Sequence, residues 1–229
     1  MTKHSTSWKL SPSDLTFLWD ECPRCFYLKV VHGYTRPAGA FPRIFSRIDQ
    51  LMKAFFQDLP TADISPSLPE GFVRFGDRWV VSQPIHLPGH AHSVYIKGRF
   101  DSVVEFADGS FGVVDFKTSQ PRQEHVAFYS RQLHAYAYAL ENPAGKALHL
   151  APVSRLGLLC VEPMTMSGDI IDRLAYVGEV TWLDCPKDER GFLGFIDGVL
   201  SVLENPQPPP PSDSCTFCQY REQARLRGL

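Results

Sequence analysis

No apolar run in this sequence approaches the roughly 18–20 residues that a membrane-spanning helix needs, so no membrane partner is expected. The stretch Met1 to Trp8 is polar and lacks the apolar core of a secretory leader, which makes a cytoplasmic location the expectation. A surplus of positive charge is missing too. With 23 Lys and Arg against 25 Asp and Glu, the formal net charge is −2. That excludes a polycationic nucleic-acid coat protein but leaves room for a local basic groove. Disulfides are not expected for the six cysteines, because without an export signal cysteines at C-x-x-C spacing read as metal ligands. There is no internal repeat.

What is present suits a soluble globular fold: 44% hydrophobic and 21% charged residues. The 229 residues allow one domain with a sizeable core, or a core plus a small appendage. Ser11-Pro12-Ser13-Asp14 is a helix-start signal running into Leu15 to Trp19. A helix is expected from Pro42 to Gln57, with Phe45, Ile48, Leu51, Met52 and Phe55 at helical spacing. Residues 58–70, rich in Pro, Ser and Asp, read as a loop. Strands are expected over Arg78 to Leu87, Val94 to Phe106 and Phe111 to Thr118, the last two joined by the turn Ala107-Asp108-Gly109-Ser110. A helix over Gln123 to Leu140, strands over Arg155 to Val161 and Leu174 to Leu183, and a long helix over Asp188 to Leu203 follow. Pro206 to Pro211 form a stiff linker that delivers Cys215-Thr216-Phe217-Cys218.

Asp115-Phe116-Lys117 is the chain's one acid-x-Lys triplet. Side chains two apart on a strand share a face, so Asp115 and Lys117 project together. Asp101 lies symmetrically across the turn from Asp115, near enough to be its cross-strand neighbour. Two carboxylates so close stay ionised most readily with a divalent cation between them, and oxygen ligands suit Mg²⁺ or Mn²⁺. The Phe116 carbonyl is a candidate further ligand, and Lys117 is placed to orient or help deprotonate an attacking water. A surface salt-bridge ladder is the plainer alternative. Against it, Val103, Val104, Val113, Val114 and Phe116 make these strands apolar on both faces, and buried acids need a reason. On the next helix Gln132 and Tyr136 stand at i, i+4 and share a face.

Gly98-Arg99-Phe100-Asp101, Asp115-Phe116-Lys117 and Gln132-x-x-x-Tyr136, in this order and spacing, resemble the RecB-like branch of the PD-(D/E)xK nuclease superfamily. The similarity extends to the nuclease domains of RecB and AddB and to the small RecB-like exonucleases associated with CRISPR adaptation. It runs from about Leu10 to Tyr220. It implies an α/β fold, a mixed sheet of about five strands with helices on both faces. It also implies that Gln132 and Tyr136 hold DNA near the metal. The histidine or glutamate that the family usually adds from the preceding helix falls on Ile48, with Asp49 beside it as a substitute ligand.

Cys22-Pro23-Arg24-Cys25 and Cys215-Thr216-Phe217-Cys218 are two C-x-x-C pairs, and together they have the ligand count of one four-cysteine site. Iron–sulfur members of the resembled family carry one cysteine in a Cys-Pro-x-x-Phe/Tyr context ahead of the core. Three more follow it, as C-x-x-C and then one some six residues on. Cys22, Cys215 and Cys218 match; the last position is about Ala224, and Cys25 is the available replacement. The resemblance favours [4Fe–4S], while two clean C-x-x-C pairs also suit Zn²⁺. Cys160 and Cys185 lack neighbours at ligand spacing and read as structural. His86, His90 and His92 are irregularly spaced around Pro88 and Gly89 and read as loop residues. Arg221, Arg225 and Arg227 suit either phosphate contact or a solvated helix face.

The expectation is one nuclease domain over 1–229, with a core at about 40–204. Residues 11–35 and 206–229 would form the cysteine-bearing cap. The activity implied is Mg²⁺- or Mn²⁺-dependent hydrolysis of DNA from single-stranded ends, in repair, recombination or CRISPR adaptation, with DNA and a protein of such a complex as partners. Two alternatives stand beside it: a catalytically weak member that binds DNA or a partner through the same groove, and a zinc-stapled interaction module.

Overall fold

The computed structural model describes residues 6–39, 41–170 and 173–228. In chain order the strands are β1 (Ser7–Leu10), β2 (Gly71–Gly76), β3 (Trp79–Val81), β4 (Ser93–Arg99), β5 (Ser102–Phe106), β6 (Phe111–Lys117), β7 (Val153–Ile170) and β8 (Arg173–Cys185). The helices are α1 (Trp19–Glu21), α2 (Pro23–His32), α3 (Arg43–Phe56), α4 (Gln123–Glu141), α5 (Glu189–Leu203) and α6 (Thr216–Leu226), and a π-helical turn, Asp14–Leu18, leads into α1.

The main sheet has the order β2-β5-β6-β7-β8. β6 is its centre because Gly112 to Phe116 are buried on both faces, the pattern of a covered strand. It pairs antiparallel with β5 across a turn in which Gly109 takes a φ of 82°, a left-handed conformation that glycine adopts without steric cost. It pairs in parallel with β7, and α4 makes the crossover. Alternation then sorts the core by face. Val103, Val113, Leu156 and Leu158 pack with Val126, Leu133, Tyr136 and Leu140 of α4 and Ile196 and Leu200 of α5. Val104, Val114, Phe116 and Leu159 pack on the opposite side, under Met52 and Phe56 of α3. The mixed sheet flanked by helices is therefore as expected.

Three expectations need correction. The strand foreseen over Val94 to Phe106 breaks at Phe100-Asp101: β4 joins a separate sheet of order β1-β4-β3, while β5 joins the main one. Asp101 thus sits in the link between two strands rather than on a strand. Second, β1 and β2 were missed, although Phe72, Val73 and Phe75 are strand formers. Third, on α3 Phe45, Leu51 and Phe55 are exposed, and Met52 and Phe56 are the buried positions. The apolar spacing marked the helix correctly but not the face it buries.

β7 and β8 run well beyond the sheet. β6 accompanies β7 only as far as Cys160, and from Val161 onward β7 has only β8 beside it. This two-stranded ribbon exposes Met164, Met166, Tyr176 and Val180. No helix among the described residues is long and apolar enough to cross a membrane.

Candidate active site and candidate metal centre

The register of β5 and β6 builds the acidic site. Ser102 pairs with Val114, so Asp101 lies one step past the end of the ladder, opposite Asp115. The Phe116 N–H donates to Asp101 Oδ2 at 3.0 Å, which ties the link between β4 and β5 to β6. Asp115 shares the α4 face of β6 with Val113 and is 2% exposed. There Gln132 Nε2 donates to its Oδ1 at 2.9 Å, and Lys117 Nζ forms an ion pair with its Oδ2. Phe116 points the other way and stacks on Phe56 with ring centroids 5.5 Å apart. Lys117 lies over the ring of Tyr129 at 4.0 Å, so the ammonium is held from two sides.

Burial lifts the Asp115 carboxyl to about 6 despite the Lys117 charge beside it, and the Asp101 carboxylate pushes the same way. Burial opposes the charge on Lys117, but Asp115 outweighs it and holds the ammonium above its ordinary value. Lys117 is therefore charged while it faces Asp115.

The cleft around these groups has a volume of about 590 Å³, and Asp49, Lys53, Asp77, Arg99 and Gln132 line it with them. Lys53, one helical turn from Asp49, was missed from the sequence, although i, i+4 acid–lysine spacing was there to be read. Its Nζ stands 2.8 Å from Asp101 Oδ1, 2.9 Å from Asp49 Oδ2 and 3.5 Å from Asp77 Oδ1. A tethered cation thus sits among three carboxylates. Asp77 was missed as well. It has a left-handed φ of 56° and pairs with Arg99, and nothing in its local sequence announces that role. Ile48 packs against the core beneath α3, and Asp49 lines the cleft in its stead. The oxygen donors of Asp101 and Asp115 are of the kind a hard divalent cation takes.

Tyr136 does not face the cleft. It is 5% exposed, its O–H donates to the Arg99 carbonyl at 2.8 Å, and its ring packs against Phe100. The close fit also accounts for Gly98, where a Cβ would come within 2.6 Å of the Pro12 ring. Of the two residues foreseen as DNA contacts, Gln132 reaches the cleft through Asp115, and Tyr136 braces the strand that carries Arg99.

The second centre joins the chain's ends. Cys22 immediately precedes α2 and Cys25 lies in its first turn; Cys215 and Cys218 stand in the same relation to α6. Each C-x-x-C thus straddles a helix N-terminus, and burial pushes the Cys25 and Cys218 thiols above their ordinary value. The four cysteines are buried, with Leu18 and Phe217 packed against them. Their sulfurs lie within 4.8 Å of one another, which fits the donor set of a metal ion. Among the described residues this is the one such group of His, Cys, Asp or Glu. Among the described residues the histidines of the 86–92 loop fall in no such group: His90 is held by Glu204 at 3.0 Å and Asp197 at 3.1 Å, and His92 accepts from the Thr6 N–H. Cys160 and Cys185 are buried and outside the centre.

The family model described as "PD-(D/E)XK nuclease superfamily" matches residues 54–223. The chain belongs to the PD-(D/E)XK nuclease superfamily. The matched segment contains Asp101, Asp115, Lys117, Cys215 and Cys218 and leaves out Asp49, Lys53, Cys22 and Cys25. Among solved structures, one titled "Crystal structure of SSO0001" is similar over 91% of this chain and 81% of its own, at 14% identity and a TM-score of 0.42. Among curated proteins nothing matches.

Proposed function

We propose that this PD-(D/E)XK protein is a RecB-like, Mg²⁺- or Mn²⁺-dependent deoxyribonuclease acting on single-stranded DNA ends in repair, recombination or CRISPR adaptation. The observation that carries the reading is the convergence in one cleft of Asp115 and Lys117, on the buried central strand, with Asp101 from the link beside it. When bound there, a divalent ion supplies Lewis-acid polarisation of the phosphodiester and a more acidic water. Asp101 and Asp115 hold it, with the Phe116 carbonyl and Asp49 as further donors. Gln132 fixes the rotamer of Asp115 through its 2.9 Å hydrogen bond. Lys117 keeps its charge beside the attacked phosphate and orients the water. Residues 40–204 would form the nuclease core and the two cysteine-bearing ends its cap.

Charge supports a link between metal and substrate. Asp49, Asp77, Asp101 and Asp115 line the cleft against Lys53, Arg99 and Lys117, so the bare cleft carries one net negative charge. One divalent cation reverses that sign and lets it attract phosphate. Phe41 and Phe45 support the single-stranded preference. They line the same cleft, are 70% and 46% exposed, and lie 5.9 Å apart between ring centroids. Exposed rings beside a phosphate site are a platform for unpaired bases.

A second reading, DNA binding with weak turnover, draws on Ile48, which stands where the family usually has a ligand, and on Lys53, which engages Asp49. End-labelled single- and double-stranded DNA, incubated with the protein in Mg²⁺, Mn²⁺ or EDTA, separates the two. Metal-dependent shortening from the single-stranded end is expected, and Asp115→Ala abolishes it. Tight binding without cleavage in either metal favours the second reading.

A further inference from the structure

We infer that the four cysteines hold a single tetrahedral zinc ion and not the iron–sulfur cluster that the family resemblance favours. The separations decide between them. Cys22 Sγ lies 3.9 Å from Cys218 Sγ, and Cys25 Sγ lies 3.8 Å from Cys215 Sγ and 3.6 Å from Cys218 Sγ. Four thiolates on one zinc at about 2.3 Å, arranged tetrahedrally, stand about 3.8 Å from each other. A [4Fe–4S] cubane gives each thiolate its own iron and directs it outward, which puts the sulfurs on the order of 6 Å apart. In this protein no pair of the four exceeds 4.8 Å. There is room for one ion at their centre and none for a cubane.

The surroundings agree with that geometry. Leu18 and Phe217 pack against the four cysteines, and the Arg36 guanidinium donates to Cys215. The ligand order also departs from the iron–sulfur pattern: α6 runs through Ala224, where that pattern places its last cysteine, and Cys25 supplies the fourth sulfur from the other end of the chain. The result is symmetric, two C-x-x-C pairs each opening a helix, with the N-termini of α2 and α6 aimed at one point. Four thiolates on a divalent ion leave two negative charges. Arg36 offsets one of them, its guanidinium donating to Cys215 Sγ at 3.2 Å while stacked 4.7 Å above the Phe217 ring. Arg36 is itself held by Glu21 at 2.6 Å. Four sulfur donors fill a tetrahedron and leave no coordination position for water or substrate, as in structural zinc sites.

The test requires no nuclease assay, so its result is independent of the catalytic reading. The full chain is purified without oxygen and assayed for metal content, acid-labile sulfide and visible absorption, and its metal is then exchanged for cobalt. Zinc at about one ion per chain is expected, with no labile sulfide. The cobalt form should show the intense visible bands of a tetrahedral thiolate site. Cys25→Ser and Cys218→Ser each abolish those bands, and Cys160→Ser, at a buried cysteine outside the centre, keeps them. Iron with labile sulfide in comparable amount overturns the inference, and so does a chain that takes up neither zinc nor cobalt.

Discussion

The acidic cleft and the cysteine centre assemble their ligands by opposite routes. Asp101, Asp115 and Lys117 belong to one hairpin and the link beside it, so strand register brings them together. Cys22 and Cys218 are 196 positions apart and meet only when the chain has folded and α6 has docked on α2. The cleft also works against its own fold, since it buries Asp115 beside a second acid, whereas an ion held by the four cysteines would tie two ends of the fold together. The cleft should therefore fail chemically and the centre structurally.

Crossing the two failures gives the largest expected effects. Lys117→Ala should lower cleavage by about three orders of magnitude, the scale of a positioned catalytic group, with the melting temperature nearly unchanged. Cys215→Ser and Cys22→Ser should behave like each other instead. Each loses the ion and several kcal/mol of stability, and what remains folded still cleaves. Cleavage rate and melting temperature measured on the same preparations check this. Parallel loss of both quantities in Lys117→Ala would erase the distinction between the two regions.

Acid should sharpen the comparison with a smaller effect. Burial raises Asp115 from its ordinary value of 3.8 to about 6. The folded chain therefore binds this proton more tightly than the unfolded one. Its contribution to the metal-free fold is fully present below about 3.8 and is lost as pH rises through about 6. Metal ligation needs the carboxylate, so Mn²⁺ affinity runs the other way and falls by up to about tenfold per pH unit below that value. Titration calorimetry with Mn²⁺ between pH 7 and about 5 tests the sign. An affinity flat across that range would mean that Asp115 is not a ligand.

The two regions were legible in the sequence to different degrees, for physical reasons. Strand periodicity and a turn with Gly109 fix which side chains face each other, so the pairing of Asp101 with Asp115 followed from counting across the turn. The two C-x-x-C pairs showed themselves by spacing alone. Lys53, Asp77 and Arg99 are different. They meet because α3, the turn between β2 and β3, and the end of β4 converge, and no local pattern encodes a convergence of three elements. The break at Phe100-Asp101 was hidden because the residues on either side are equally good strand formers. Only the assembled sheets show that the chain changes partners there. The buried role of Tyr136 was hidden for a similar reason: i, i+4 spacing gives a shared face but not what that face meets.

The smallest effect concerns the rim of the cleft. Phe45, one of the apolar residues at helical spacing on α3, and Phe41 stand open beside the acidic site. If unpaired bases stack there, each ring removed costs about 1–3 kcal/mol of single-strand affinity per lost base contact. Duplex DNA keeps its bases stacked inside the helix and should be nearly indifferent. Phe41→Ala and Phe45→Ala should therefore each weaken binding of a short single-stranded oligonucleotide by about 5- to 150-fold. Duplex binding and the melting temperature should change little, because neither ring contributes to the buried core. Fluorescence anisotropy with Ca²⁺ in place of the catalytic metal reads binding without turnover. Equal loss for both DNA forms would assign the rings to a general role in holding α3 over the cleft, and no loss for either would separate the aromatic rim from the substrate.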